Sequence, residues 1–344
     1  MDKIDIFYIA KKAGVSIATV SRVLNKPETV DKKKVKLVLE MCSKYNYKPS
    51  HFAKAIRTGK TKNIALVVHT MSAFSKNTEL IESVENRIYD YSYCLNIFNT
   101  NMDPDRQKKI ISIIKDRSID GVLLQNSGFW GHSFDLEVID KINNINIPLF
   151  ILEKKMEESK TAFASVDGEK GGGIAAKHLI KKGHRKVGVL SDPLGYDIIC
   201  QRVEGFSKQC KKDRINKIPV FELPEANNTL PNLVSIIKNR LTEITESKVT
   251  AVFCTSDVIA LALYKVLTEN NIQVPEDISI IGFDNLSATL SMPVGLTTIN
   301  NDLKLLGKIG VDNIISKIEN GRFLKKQSVI EPELIVRDTV SKRS

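Results

Sequence analysis

A small all-helical head followed by a two-lobed α/β body of parallel sheets is the fold class the sequence predicts. Two observations carry it. Up to about residue 62 the apolar side chains keep helical spacing, whereas from Asn63 short apolar runs alternate with amphipathic segments. The charge divides at the same place. Residues 1–62 hold 15 Lys and Arg against 5 Asp and Glu, and the other 282 hold the remaining 36 and 35. Ten units of the net charge of +11 therefore belong to the head.

In the head, Ile6, Ile9, Ala10 and Ala13 predict a first helix, with Asp5 placed to cap it. Ala10 and Ala13 let a second helix cross closely. Gly14 supplies the positive-φ turn, Val15 plugs it and Ser16 is placed to N-cap a helix from about Ile17 to Leu24. That helix carries Thr19, Ser21 and Arg22 on one face and Val20, Val23 and Leu24 on the other. Asn25, Lys26 and Pro27 break the chain. Asp31 then caps a third helix whose core face is Val35, Val38, Leu39 and Cys42 or Met41; Tyr45 and Tyr47 close the unit and Pro49 ends it. Helices joined in this way form a helix-turn-helix, whose second helix enters the DNA major groove. An ordinary helical hairpin would leave the concentrated positive charge without a purpose. The following pattern, Ser50 to Gly59, is too short a helix to persist alone and should order only when something packs on it.

In the body, strands are expected at Ile64–His69, Cys94–Asn99, Gly121–Gln125, Leu149–Leu152, Val187–Ser191, Ala251–Thr255 and Ile278–Phe283. Helices are expected at Glu79–Tyr91, Arg106–Lys115, Glu169–Lys182, Leu230–Thr245, Val258–Asn270 and Leu303–Gly321, with final strands near Val329–Arg337. Alternation of this kind predicts parallel sheets covered on both faces, here two of them, divided near Ala162–Val166. Ligands of such folds bind beyond the carboxyl ends of the strands, in the cleft between the lobes.

Several classes are excluded by what the chain contains. No run of eighteen apolar residues predicts a membrane span, and the start MDKIDIFYIAKK gives no signal peptide. Five scattered cysteines read as small hydrophobes in a reducing cytosol. Gly59-Lys60-Thr61 lacks the earlier glycine and the preceding strand of a phosphate loop. Gly171-Gly172-Gly173 opens a helix and reads as close packing sooner than as an anion cradle. The five histidines show no metal spacing, and no G-x-S-x-G elbow exists. No enzyme, cofactor or metal is expected.

Four stretches in order, AGVSIATVSRVLN (13–25), YNYKPSHFAKAIRTGKT (45–61), VDGEKGGGIAAKHLIKKGHRKVGVL (166–190) and AVFCTSDVIALA (251–262) with DISIIGFDN (277–285), resemble the lac repressor/galactose repressor family. The resemblance covers nearly the whole chain. It implies a cytoplasmic transcription repressor that binds a palindromic double-stranded operator as a homodimer and takes a sugar, sugar phosphate or sugar acid in the cleft. It divides the chain into a DNA-binding head (1–48), a hinge (49–62) and a core (63–340). Within the core, lobe one is about 63–162 and 293–322, and lobe two about 163–292 and 323–340.

The resemblance also assigns roles. Ile17, Ala18 and Arg22 match base-reading positions, and Ser16, Thr19 and Ser21 match phosphate-holding ones, with Asn25 at the end of the same helix. Arg22 can grip a guanine bidentately; Ala18 can meet a thymine methyl or simply give clearance. Asp5 and Tyr8 stand where the family usually has Thr and Asp, so Asp5 reads as a cap. In the hinge, Ala53, Lys54 and Ile56 face DNA, Ile56 in place of the family's minor-groove leucine wedge, and His51 and Lys54 add phosphate contacts. In the cleft, Arg202, Asp257 and Asp284 are expected to hold the effector, although Asp257 also suits a helix N-cap and Asp284 a turn. The family's Asn-Pro-Phe-Phe is Phe74-Ser75-Lys76-Asn77 here, which places a cation and an amide, Lys76 and Asn77, where aromatic rings usually stack. Ser127 and Lys154 complete the expected lining. Lys76 suggests an anionic effector unless it points to solvent.

Overall fold

Each helix of the head starts at a side chain that satisfies its otherwise unpaired N–H groups. The computed structural model describes residues 4–47, 60–71, 76–116, 118–126, 132–156, 161–224 and 229–343. It comprises two units, Met1–Lys62 and Asn63–Ser344. In the first, α1 (Ile6–Ala13) is capped by Asp5, whose carboxylate accepts from Tyr8 N at 2.9 Å. Gly14 then takes φ 63°, and α2 (Ile17–Asn25) is capped by Ser16. Asp31 accepts from Lys33 N and Lys34 N at 3.0 and 3.3 Å to start α3 (Lys32–Lys44). Ile9, Ala10, Ala13, Val20, Val23, Val38 and Cys42 form the core, and the Tyr8 ring meets Tyr45 edge-on at 5.2 Å. Leu39 is a correction: it is exposed, because Val38 and Cys42 already fill the buried stripe and Leu39 lies one position round the helix, beside a groove with Val30 and Val35.

Among the described residues the body contains two six-stranded sheets. The first has the order β11-β5-β4-β3-β1-β2, from β1 (Asn63–Val68), β2 (Cys94–Asn99), β3 (Gly121–Gln125), β4 (Leu149–Leu152), β5 (Ala162–Val166) and β11 (Gln327–Ile330). The second has the order β12-β10-β9-β8-β6-β7, from β6 (Val187–Ser191), β7 (Val220–Glu222), β8 (Ala251–Cys254), β9 (Ser279–Asp284), β10 (Thr297–Asn300) and β12 (Glu333–Ile335). Among the described residues only β12 pairs antiparallel.

Period-two alternation sorts the side chains. In β1, Ile64, Leu66 and Val68 face α4 (Asn77–Asp90) and α12 (Leu303–Asn320), while Ala65 and Val67 face α5 (Pro104–Asp116) and α6 (His132–Asn144). In the second lobe Val252 and Cys254 face α9 (Leu230–Asn239), α10 (Leu241–Glu246) and α11 (Asp257–Glu269). Ala251 and Phe253 face α7 (Gly168–Lys181) and α8 (Asp197–Lys212). Burial on both faces makes these strands near-continuous apolar runs.

Strand pairing corrects the expected lobe limits. β5 belongs to the first sheet, β10 to the second and β11 to the first, so the chain crosses between lobes near 167, 301 and 331. The expected helix over Leu230–Thr245 is broken at Arg240. Of the cysteines, Cys42, Cys210 and Cys254 are buried, whereas Cys94 at the start of edge strand β2 is exposed. The glycine triplet serves packing: a Cβ on Gly172 would sit 1.9 Å from Arg202 O, and one on Gly205 1.8 Å from Glu169 O. Helices α7 and α8 touch backbone to backbone there. No helix among the described residues is long and apolar enough to cross a membrane.

Candidate functional site

On α2 the outward face presents Ile17, Ala18, Arg22 and Asn25, all exposed, with Thr19 and Ser21 half-buried behind them. The exposed Ser16 hydroxyl accepts from Thr19 N at 3.2 Å and lies 2.9 Å from the Thr19 hydroxyl, so the first turn is rigid. Asn25 Nδ2 donates to Ser21 O at 2.6 Å and closes the last turn. Arg22 is the one cation on this helix, and it is exposed.

The cleft is built from strand ends. Glu153 follows β4 with φ 77°, and Asp284 ends β9 with φ 117°. Non-glycine residues in that region cost on the order of 1 kcal/mol or more and tend to cluster at binding sites. In the first lobe Lys76 Nζ lies 2.5 Å from Glu153 Oε1, and Gln125 Nε2 donates to Glu153 Oε2 at 2.9 Å and to Asn77 Oδ1 at 2.5 Å. In the second, Arg202 Nη1 donates to Thr255 O at 2.6 Å and Nη2 to Asp284 Oδ1 at 3.2 Å. Asn301 Nδ2 reaches the same oxygen at 3.0 Å, and the guanidinium carbon lies 3.7 Å from the Phe283 ring centre. Between the two groups remains a cavity of about 20 Å³ lined by Lys76, Glu153, Gln201, Arg202, Phe283 and Asn301 among others. That is room for about one water molecule.

Two contacts tie the lobes together at the cleft rim. Lys154 Nζ pairs with Asp197 Oδ2 at 2.6 Å, and Glu79 Oε1 accepts from the Ser287 hydroxyl at 2.6 Å and from its N–H at 3.3 Å. Burial shapes the ionisation behind them. It works against the Glu153 carboxylate, but Lys76 and Gln125 outweigh it and hold that group below the usual range. For Asp284 burial wins over Arg202 and Lys76, and its carboxyl is raised. Burial also pushes the imidazole of His69 down to about 4, although Glu153 opposes this.

Comparison with known proteins places this geometry. Residues 6–50 match the family described as bacterial regulatory proteins, lacI family, and residues 176–340 match the periplasmic binding protein-like domain. The HTH-type transcriptional repressor PurR of Aliivibrio salmonicida (strain LFI1238) is 30% identical over 340 residues, 97% of this chain and 98% of that protein. The repressor of the same name from Haemophilus influenzae (strain PittEE) is 33% identical over 336 residues, 96% and 97% of the two chains. The chain belongs to the lacI family of bacterial regulatory proteins. Its fold matches a lac repressor dimer solved with operator and the anti-inducer ONPF, with TM-score 0.87 and 21% identity over 99% of this chain and all of that one. It also matches the transcriptional regulator CelR in complex with cellobiose, with TM-score 0.70 and 20% identity over 98% and 100% of the chains.

As a lacI-family member the protein is a DNA-binding transcription repressor carrying an effector-binding body. Arg202, Asp284 and Lys76 meet in the cleft, Lys154 sits at its rim, and Asn77 is buried behind them, bonded to Gln125 and to the Thr70 carbonyl. Asp257 is a correction. It is fully buried, with Oδ1 accepting from the Thr298 hydroxyl at 2.6 Å and Oδ2 from Leu286 N at 2.8 Å, so both oxygens are used inside the second lobe. Nor does it cap α11, whose N-cap is Ser256. Burial and Asp284 raise its carboxyl to about 8. Ser127, His51, Ala53, Lys54 and Ile56 lie outside the described residues, as do Phe74 and Ser75. Residue patterns missed Glu153, Gln125 and Asn301. The signal was available for Glu153, an acid at the carboxyl end of the apolar strand LFIL.

Proposed function

We propose that this repressor binds a palindromic operator as a cytoplasmic homodimer and is controlled by an uncharged, hydroxyl-rich small molecule in the interlobe cleft. In this reading residues 1–48 are the DNA-binding head, 49–62 the hinge and the remainder the effector-binding and dimerising core. Ile17, Ala18 and Arg22 read bases, while Ser16, Thr19, Ser21 and Asn25 hold the helix against phosphates. The hinge adds His51, Ala53, Lys54 and Ile56. The protein acts by binding and not by catalysis.

The observation that carries the effector class is the pairing of charges. Lys76 pairs with Glu153, Lys154 with Asp197 and Arg202 with Asp284. Each cation of the expected lining already has a carboxylate partner, so an anion arriving there would displace one. A neutral carbohydrate can instead insert hydroxyls between Glu153, Arg202, Asp284 and Asn301, accepting from the cations and donating to the acids. Structural neighbours solved with cellobiose and with ribose support the carbohydrate class. The pairing favours an uncharged member over the sugar phosphates and sugar acids that Lys76 alone suggested.

Control then follows from the two rim contacts. An effector that stabilises one relative position of the lobes over another shifts operator affinity by its differential affinity for the two. A thermal-shift screen of the full chain against neutral sugars, sugar phosphates and sugar acids tests the reading. Hits should be neutral and should disappear in Arg202→Met. A saturable hit confined to sugar phosphates would overturn the effector class.

A further inference from the structure

The Lys76–Glu153 pair has properties that a structural ion pair does not need. Glu153 stands at φ 77° on the end of β4, a backbone conformation that turns its carboxylate out of the sheet and into the cleft. Its mirror in the other lobe is Asp284, also at positive φ, also on the end of a central strand, and with the same 4% side-chain exposure. Asp284 has Arg202, which Phe283 and Thr255 hold rigidly from behind. Glu153 is paired with a flexible lysine, 19% exposed, immediately before α4. The pair lines the cavity directly, opposite Arg202. Removing the carboxylate would leave a half-buried ammonium and a guanidinium on opposite walls of the same cavity. Arg202 would keep Asp284, but the ammonium would have no carboxylate, and an unpaired cation in a partly buried cavity is the chemistry of an oxyanion receptor.

We propose that Glu153 is the charge selector of the cleft: by holding Lys76 it confines the site to uncharged, hydroxyl- or amide-bearing ligands and rejects phosphate- and carboxylate-bearing ones. The inference rests on the cleft being the effector site. It adds which residue sets the ligand's charge and predicts that one substitution inverts the preference. Glu153→Gln keeps shape and leaves an oxygen to accept from Gln125 Nε2, but gives up the charge that neutralises Lys76. Lys76, no longer neutralised, then offers its ammonium to an anion beside the Arg202–Asp284 pair.

Inorganic phosphate is the probe, titrated calorimetrically into the full chain at constant ionic strength with chloride as the balancing anion. Wild type and Glu153→Gln carry the same basic head, so any phosphate bound there cancels in the comparison. Glu153→Gln should bind phosphate at least tenfold tighter than wild type, and the double variant Lys76→Gln/Glu153→Gln should return to the wild-type value. Glu153→Met, which needs no hydrogen-bond partner, repeats the test should the amide disturb folding. Equal phosphate affinity in wild type and both single variants overturns the proposal, as does a gain that survives loss of Lys76. Operator affinity, read in parallel on a selected operator, separates this from the broader reading. A phosphate gain in a protein whose operator affinity responds to no cleft ligand removes the effector reading and leaves the selector. A wild-type response to a sugar phosphate removes the selector and leaves the effector reading.

Discussion

Replacing Arg202 by methionine removes the guanidinium that ties three parts of the second lobe to the cleft, while keeping a long apolar stem on α8. Three contacts go at once: the hydrogen bond to Thr255 O at 2.6 Å, the pair with Asp284 at 3.2 Å, and the stack on Phe283. What remains is a carboxylate with 4% side-chain exposure and Asn301 as its described donor in this lobe. Breaking one side of a buried pair costs about 3–5 kcal/mol, because the surviving charge loses its partner without regaining water. At roughly 2 °C per kcal/mol for a domain of this size, the body should melt about 6–10 °C lower in differential scanning calorimetry of the full chain. Asp284, already raised by burial, can escape part of the cost by taking up a proton. The loss should therefore be smaller at pH 5 than at pH 8. Adding Asp284→Asn should recover about 1–3 kcal/mol relative to the sum of the single changes. A melting point within 2 °C of wild type, or strict additivity in the double variant, would refute the reasoning.

Other expectations follow from the same contacts. Arg22→Ala should cost about 1–3 kcal/mol of discrimination at one operator base pair, measured by anisotropy against single-base operator variants; equal loss on all sequences would make Arg22 a phosphate contact instead. Gly172→Ala drives a methyl to within 1.9 Å of the Arg202 carbonyl, so α7 and α8 must separate and stability should fall by about 3 kcal/mol in urea unfolding. Gly173→Ala, whose nearest neighbour would be 3.7 Å away, should cost far less. His69 stays neutral when folded, with its pKa pushed down to about 4 from 6.5. The unfolded chain takes up that proton below about 6.5 and the folded chain does not, so this contribution, at most about 3 kcal/mol, is lost as pH falls from 6.5 to 4. His69→Asn should flatten the acid limb of the stability profile.

Much of the architecture was legible because its causes are local. Asp5, Ser16, Gly14 and Asp31 cap or turn the head helices through bonds spanning two or three residues, and the apolar runs of β1, β3 and β8 announce strands buried on both faces. The lobe limits were not legible in detail. Whether β5 joins the first sheet or the second depends on pairing with β4 and β11, the latter more than 160 residues away in sequence. The cleft divides along the same line. Arg202 and Asp284 stand out from their motifs, and Lys76 from its departure from the family pattern. That Lys76 is neutralised by Glu153 is a tertiary fact that no spacing encodes, and it is why the proposed effector is uncharged. Asp257 looks like a cleft acid in sequence, yet Thr298 and the Leu286 amide claim it from β10 and the turn after β9.

The central claim is that one small molecule in the interlobe cleft sets operator affinity, and a single titration tests it. The full chain is bound to a labelled operator recovered by selection from random duplexes, and a neutral sugar identified by thermal shift is added until the cleft is saturated. Operator affinity should change by 5- to 150-fold, corresponding to a coupling of about 1–3 kcal/mol, and Arg202→Met should abolish the change while leaving unliganded binding in place. Saturation of the cleft with operator affinity unchanged would contradict it.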